Sequence, residues 1–158
     1  MKKTLCLYYT RTNATRMAAE LLAQHLGADL AEYTDGKDRR GIRGYLGACI
    51  DSFKKTLPNV YIMGPHRPYE YERVIVCMPV WAEGPAIVGK ALLAKCREDF
   101  PEDVCFVVTH MAKTDYEKKI NALDAYLKTP HTAHLSLRTK NNPHLKYEIR
   151  VFAEQIGK

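Results

Sequence analysis

Polar side chains follow three apolar segments that have the pattern of buried strands. The first set runs from Thr10 to Thr15, reads Thr-Arg-Thr-Asn-Ala-Thr and comes directly before a helical pattern. Three threonine hydroxyls and the free N–H groups of a helix start can hold a phosphate without lysine or arginine, because the helix dipole is positive there. The segment predicts a phosphate site, although the same threonines also suit a plain strand end and helix cap.

The second and third sets could hold a flat ring. The second comprises Pro79, Val80, Trp81, Ala82, Glu83 and Gly84, and Trp81 is the only tryptophan of the chain. A tryptophan at the rim of a cleft can stack on a planar ligand, but it can equally be a packing residue. The third set, Thr109 to Thr114, contains His110, a potential proton donor for which a role as a hydrogen-bonded rim residue is favoured.

The elements that must position these residues alternate between strand and helix. Apolar runs predict three strands, and weaker patterns predict two more; together they are Leu5–Tyr9, Ala28–Tyr33, Val74–Met78, Val104–Val108 and Ala133–Arg138. The central runs are apolar on both faces, as in parallel strands covered by helices on both sides. Helical spacing predicts helices over Asn13–Leu26, Ile42–Lys55, Pro85–Cys96, Tyr116–Leu127 and Pro143–Ile156.

Details of these helices add expectations about packing. Met17, Ala18, Leu21, Leu22 and Leu26 share one apolar stripe, and Gly27 is expected to cap the first helix. In the second helix the equivalent stripe comprises Tyr45, Leu46, Cys49, Ile50 and Phe53. Residues 56–73 are expected to be irregular. The pattern predicts one α/β domain over residues 1–158 with a doubly wound parallel sheet, whose ligands bind beyond the carboxyl ends of the strands.

Two of the loops resemble those of flavodoxins. Tyr8-Tyr9-Thr10-Arg11-Thr12-Asn13-Ala14-Thr15 is similar to the flavodoxin opening, and Met78-Pro79-Val80-Trp81-Ala82 followed by Pro85-Ala86 is similar to the second flavin loop. The helix start Gly41 to Leu46 and the pair Thr109-His110 also resemble a short-chain branch of that family. The resemblance implies a flavodoxin-like, five-stranded parallel sheet in the order 2-1-3-4-5 with helices on both faces.

The resemblance also implies a non-covalent FMN site. Thr10, Arg11, Thr12, Asn13, Ala14 and Thr15 would surround the phosphate, Pro79 to Gly84 would flank the isoalloxazine with Trp81 stacking on it, and Thr109, His110 and Met111 would line the far side. Electron transfer through FMN requires no catalytic side chain. The sequence departs from the family at Asn13-Ala14, at Glu83 and in the third loop, which lacks glycines; a carboxylate at Glu83 that faced the ring would lower the flavin potential.

The charge of the chain restricts the kinds of partner that it suits. The chain has 24 Lys and Arg against 18 Asp and Glu, a net charge of +6, which suits an acidic redox partner protein or a small anionic acceptor. The segment 37–55 holds Lys37, Arg39, Arg40, Arg43, Lys54 and Lys55 against two acids. A solvated face is expected there, and the alternative is that Arg39, Arg40 and Arg43 border the flavin cleft or a partner surface. No motif for nucleic acid accompanies the charge.

Further features favour a cytoplasmic protein without a membrane span or metal site. The five cysteines are scattered, and Cys6, Cys77 and Cys105 lie in strand patterns where a buried thiol is expected. His131, His134 and His144 are expected at the surface, without metal. The primary hypothesis is an FMN-binding electron-transfer protein. Alternatives are an FMN-dependent NAD(P)H oxidoreductase acting on quinones or similar acceptors, and a flavodoxin-like interaction module without cofactor; the sequence leaves the oligomeric state open.

Overall fold

A mostly parallel sheet forms the centre of the computed structural model, which describes residues 1–53 and 56–158. Its strands are β1 (Thr4–Tyr8), β2 (Asp29–Thr34), β3 (Tyr61–Ile62), β4 (Arg73–Trp81), β5 (Gly84–Pro85), β6 (Asp103–His110) and β7 (Ala133–Arg138). The main path has the order β3-β2-β1-β4-β6-β7, and β5 pairs with β4. The five long strands are parallel neighbours, which confirms the predicted order 2-1-3-4-5.

Two short antiparallel strands were not predicted. β3 pairs with β2 at the edge of the sheet, within the stretch 56–73 that was expected to be irregular. β5 follows β4 after a two-residue turn, so that Val80 pairs with Pro85 and Trp81 with Gly84. The turn places Pro85 in a strand, although the helical spacing assigned it to a helix.

Helices cover both faces of the sheet. They are α1 (Ala14–Leu26), α2 (Gly41–Ser52), α3 (Ile87–Lys95), α4 (Glu117–Asn121) and α5 (Leu145–Gly157), with short 3-10 helices at Pro68–Glu70 and Ala122–Tyr126. The predicted fourth helix is therefore split in two, and Pro143 precedes α5 instead of entering its first turn. Among the described residues, no helix combines the length and the apolar character that a membrane crossing requires.

The first helix follows the sequence pattern closely. Gly27 adopts the left-handed conformation with φ 59° and its N–H donates to the Ala23 carbonyl, which confirms the predicted cap. Leu22 and Leu26 are buried against the sheet face that carries Cys6, Cys77 and Cys105. Met17, predicted on the same stripe, is 42% exposed because it lies at the margin of the buried face.

The apolar stripe of α2 faces solvent, which overturns the expectation that it is buried. Ile50 and Phe53 are 63% and 80% exposed, and Tyr45 and Leu46 are about half exposed. The buried residues of this helix are instead Gly44, Ala48 and Asp51. A side-chain carbon on Gly44 would lie 2.0 Å from the Arg39 carbonyl carbon, so only glycine fits where the chain enters this helix. The predicted continuation of this helix to Lys54 and Lys55 lies outside the described residues.

The buried face of α1 and the exposed face of α2 predict very different stability costs for the same substitution of leucine by alanine. Leu22→Ala removes a fully buried side chain and should lower the free energy of unfolding by about 3 kcal/mol. Leu46→Ala removes a side chain that is 55% exposed and should change it by less than about 0.5 kcal/mol. Chemical denaturation followed by circular dichroism measures both, and an equal cost would mean that the α2 face is covered in solution.

Candidate functional site

The carboxyl ends of β1, β4 and β6 bring the three predicted loops to one edge of the sheet. Tyr8 pairs with Cys77, and Pro79 pairs with Thr109. The Thr15 and Thr109 hydroxyls are 2.7 Å apart and buried, which joins the first loop to the third. The strand register therefore brings all three loops together. The Thr15 hydroxyl, which the sequence analysis assigns to a phosphate, is hydrogen-bonded to Thr109 instead.

The first loop retains groups that could bind an anion. Asn13 precedes α1 with φ 66°, a left-handed conformation that asparagine tolerates better than most residues other than glycine. The helix has no side-chain cap and no acidic residue in its first turn, so its first N–H groups remain available. The Thr10 hydroxyl is buried and has no hydrogen-bond partner among the described residues. A buried, unpaired hydroxyl beside a helix N-terminus fits a phosphate oxygen.

A cleft of about 480 Å³ opens beside the first loop. Tyr9, Thr10, Arg11 and Asn13 line one side of it, and Arg39 and Arg40 line another. Arg11 also lies over the Tyr45 ring, with its guanidinium carbon 5.3 Å from the ring centre. Thr12 is exposed, and Ala14 is partly buried. Arg39 and Arg40 are the residues of the basic segment 37–55, together with Lys37 and Asp38, that line this cleft.

Arg39 is buried, which corrects its assignment to a solvated face. Its Nη2 atom donates to Asp35 at 2.6 Å and lies 2.6 Å from a carboxylate oxygen of Asp51. Its guanidinium carbon is 4.7 Å from the centre of the Trp81 ring. Its Nε atom is buried and has no partner in the described part of the chain. Arg39 therefore joins β2, α2 and the second loop.

Trp81 is 4% exposed and does not lie open at a rim. Tyr9 meets its ring edge-on, with centroids 5.4 Å apart, while Arg39 covers a face. The indole N–H is buried without an acceptor among the described residues. Since one face of the indole cannot hold both a guanidinium and a flat ligand, a ring stacked on that face would have to displace Arg39.

The rest of the second loop is a tight hairpin. Ala82 has φ 53°, a left-handed conformation that costs a non-glycine residue about 1 kcal/mol. The sequence comparison had placed the departure at Glu83 and Gly84, one and two positions later. The Glu83 side chain is 93% exposed, and its carboxylate lies 4.0 Å from Lys119 Nζ. Pro79 and Val80 are partly buried in β4.

The third loop holds its histidine in a fixed orientation. His110 Nδ1 is 2.9 Å from the Ala112 carbonyl and must donate to it, and Nε2 is 3.0 Å from the Ser136 hydroxyl and accepts from it. Burial lowers the pKa of His110 because it disfavours the charged ring. Both nitrogens are engaged, which matches the rim residue of the sequence analysis better than a proton donor. Met111 is 61% exposed.

Two histidines expected at the surface form a hydrogen-bonded chain. His131 Nδ1 is 2.6 Å from Asp124, and His131 Nε2 is 2.8 Å from His134 Nδ1. The ring of His131 also packs on Phe106. This chain was missed because Asp124 approaches only through the fold. Within residues 1–53 and 56–158 no group of His, Cys, Asp and Glu has the arrangement of a metal site.

The strand cysteines are inert, as the sequence indicated. Cys6, Cys77 and Cys105 are buried, and all five cysteines are free. Burial raises the pKa of Cys6 to about 12 and raises that of Cys77 as well. These thiols stay protonated at neutral pH and serve as small core residues.

Comparison with known structures identifies the fold. A flavoprotein from Lactobacillus acidophilus, solved in complex with FMN, has a TM-score of 0.65 and 23% identity, covering 85% of this chain and 93% of that one. A structure from Bacteroides eggerthii assigned to the flavoproteins has a TM-score of 0.76 and 18% identity over 100% and 99%. Two-electron reduced flavodoxin from Megasphaera elsdenii has a TM-score of 0.53 and 9% identity over 96% and 99%. The chain has the flavodoxin-like fold.

No protein-family model matches the sequence, and no curated protein matches it either. At these levels of identity the structural likeness establishes the architecture. The ligand has to be argued from the residues of the site.

The Arg39 contacts predict a large asymmetry between two neighbouring arginines. Arg39→Gln leaves the buried carboxylates of Asp35 and Asp51 without their shared cation and should cost about 3 kcal/mol or more of unfolding free energy. It should also change the emission of Trp81, the single tryptophan. Arg40→Gln removes an 82% exposed side chain paired with Asp38 and should cost less than about 0.5 kcal/mol. Urea denaturation followed by tryptophan fluorescence measures both, and equal costs would contradict a structural role for Arg39.

Proposed function

We propose that the protein binds FMN non-covalently at this edge and transfers electrons between a reductase and an acceptor. The observation that carries the proposal is the buried, unpaired Thr10 hydroxyl beside the uncapped start of α1. It supports a phosphate site in a fold shared with a flavoprotein solved in complex with FMN. When bound, FMN supplies the electron chemistry, and no side chain has to react.

The residues of this chain would bind and orient the cofactor. Thr10, Arg11, Thr12 and the N–H groups that begin α1 would hold the phosphate. The second loop, from Pro79 to Gly84, and the third loop, from Thr109 to Met111, would flank the ring. Glu83 is solvent-exposed and close to Lys119, so its charge would act on the ring only weakly.

An acidic protein or a small anion is the acceptor that we propose. Arg11 and Arg40 line the first-loop cleft, and Arg43 is exposed on α2. The exposed apolar face of α2 next to these cations would suit a partner with an apolar centre and an acidic rim. We further propose the cytoplasm as the site of action, because the five free cysteines suit a reducing compartment.

Titration with FMN and with riboflavin tests the phosphate site. The purified protein should bind FMN with a shift in the visible flavin spectrum. Thr10→Val should weaken FMN binding roughly ten-fold by removing a hydrogen bond to a charged group. Riboflavin lacks the phosphate, so its affinity should not change. Because the Thr10 hydroxyl is unpaired, the variant apoprotein should be at least as stable as the wild type.

The matched control is Thr129→Val, an exposed threonine outside the three loops. It should leave both affinities unchanged. A colourless protein whose addition leaves the FMN spectrum and fluorescence unaltered would overturn the proposal in favour of an interaction module without cofactor. If Thr10→Val lowered the affinities for FMN and riboflavin equally, the phosphate would have to bind elsewhere.

Reoxidation by charged acceptors tests the preference for anionic partners. The reduced holoprotein should react faster with ferricyanide at low salt than at high salt, and hexaammineruthenium(III) should show the opposite dependence. Arg43→Gln should lower the ferricyanide rate constant, measured by stopped flow, more than Lys158→Gln does. Both variants remove one positive charge, but Lys158 lies at the opposite edge of the sheet. Equal effects of the two variants would show that only net charge matters.

A further inference from the structure

A second cleft of about 370 Å³ lies between the hairpin of the second loop and the helices α3 and α4. Buried apolar residues of this cleft are Trp81, Pro85, Ile87 and Leu123, and Tyr126 lies beside them. None of the first-loop residues lines it, so it is separate from the phosphate site.

Two lysines give this apolar cleft a positive charge. Lys119 donates to the Glu83 backbone carbonyl. Lys90 is half-buried and has no ion-pair partner among the described residues. Burial lowers the pKa of Lys90, and the nearby charge of Lys119 adds to this effect. Glu83 is the only acid among the described residues that line the cleft, and its 93% exposed carboxylate lies 4.0 Å from Lys119 Nζ, so it balances part of the charge of Lys119 and none of the charge of Lys90.

An ammonium group that is partly removed from water is stabilised by an anion placed beside it. We propose that this cleft binds a small amphipathic carboxylate. The apolar body of the ligand lies against Trp81, Ile87 and Leu123, and its carboxylate lies near Lys90 and Lys119. The volume suits a molecule of one ring or a short chain. This site does not require FMN, so it can be tested on the flavin-free protein.

Trp81 reports binding directly, because it lines the cleft and is the only tryptophan. The flavin-free protein is titrated with phenylbutyrate and with the uncharged analogue phenylbutanol, while tryptophan emission is recorded. Phenylbutyrate should bind roughly ten-fold more tightly or better, as expected for hydrogen bonds to a charged group. Isothermal titration calorimetry repeats both titrations with a readout that does not depend on the indole.

Lys90→Gln isolates the anion-binding component. This substitution should lower the affinity for phenylbutyrate roughly ten-fold and leave the affinity for phenylbutanol unchanged. Lys118→Gln removes a charge from the exposed residue adjacent to Lys119, outside the cleft lining, and should change neither affinity.

Three results would overturn the proposal. They are equal affinity for the two probes, no heat or emission change with either probe at millimolar concentration, and displacement of phenylbutyrate by FMN, which would make the cleft part of a flavin site. Failure of FMN to bind would leave these titrations unaffected, so the two proposals stand or fall separately.

Discussion

The carboxyl edge of the sheet depends on the buried guanidinium of Arg39. This group contacts Asp35 after β2, Asp51 in the last turn of α2 and the ring of Trp81 in the second loop. Removing the charge of an arginine from water is costly unless carboxylates balance it, so Arg39, Asp35 and Asp51 hold one another in place even though the Arg39 Nε donor has no partner among the described residues. One side chain thus sets the position of α2 and of the hairpin. It also lies between the first-loop cleft, which Arg39 lines, and the second cleft, which Trp81 lines.

The central architecture could be predicted because each strong strand carries its own signal. A run such as Val74 to Met78 is apolar on both faces, and the alternation of such runs with helices leaves few topologies. The rule that ligands bind beyond the strand ends then selected the three loops that the register brings together. The short strands β3 and β5 carry no comparable signal, because two residues are too few to show a period.

The environment of α2 could not be predicted in the same way. Its helical period shows that an apolar face exists, but the period does not say which face is buried. The buried side carries Gly44, Ala48 and Asp51, and Gly44 lies against the backbone of Arg39, where a larger residue would not fit. Likewise, nothing local distinguishes Arg39 from Arg40. Asp51 completes the site of Arg39 from twelve residues away, and Trp81 reaches it only through the sheet.

The same pairing changes the meaning of the positive net charge. Arg39 pairs with Asp35 and Asp51, and Arg40 pairs with Asp38. Lys37 also lies within ion-pair distance of Asp51. Much of the positive charge of the basic segment is therefore balanced by neighbouring carboxylates. The positive potential at this edge therefore comes from cations outside those pairs, such as Arg11 at the first loop and Lys90 in the second cleft. A small number of unpaired cations in concave, partly apolar surroundings attract an anion more effectively than a longer run of paired charges, because their field is less screened by water and by counter-charges. Selectivity for anions is thus a local property of the two clefts and does not follow from the composition of the chain.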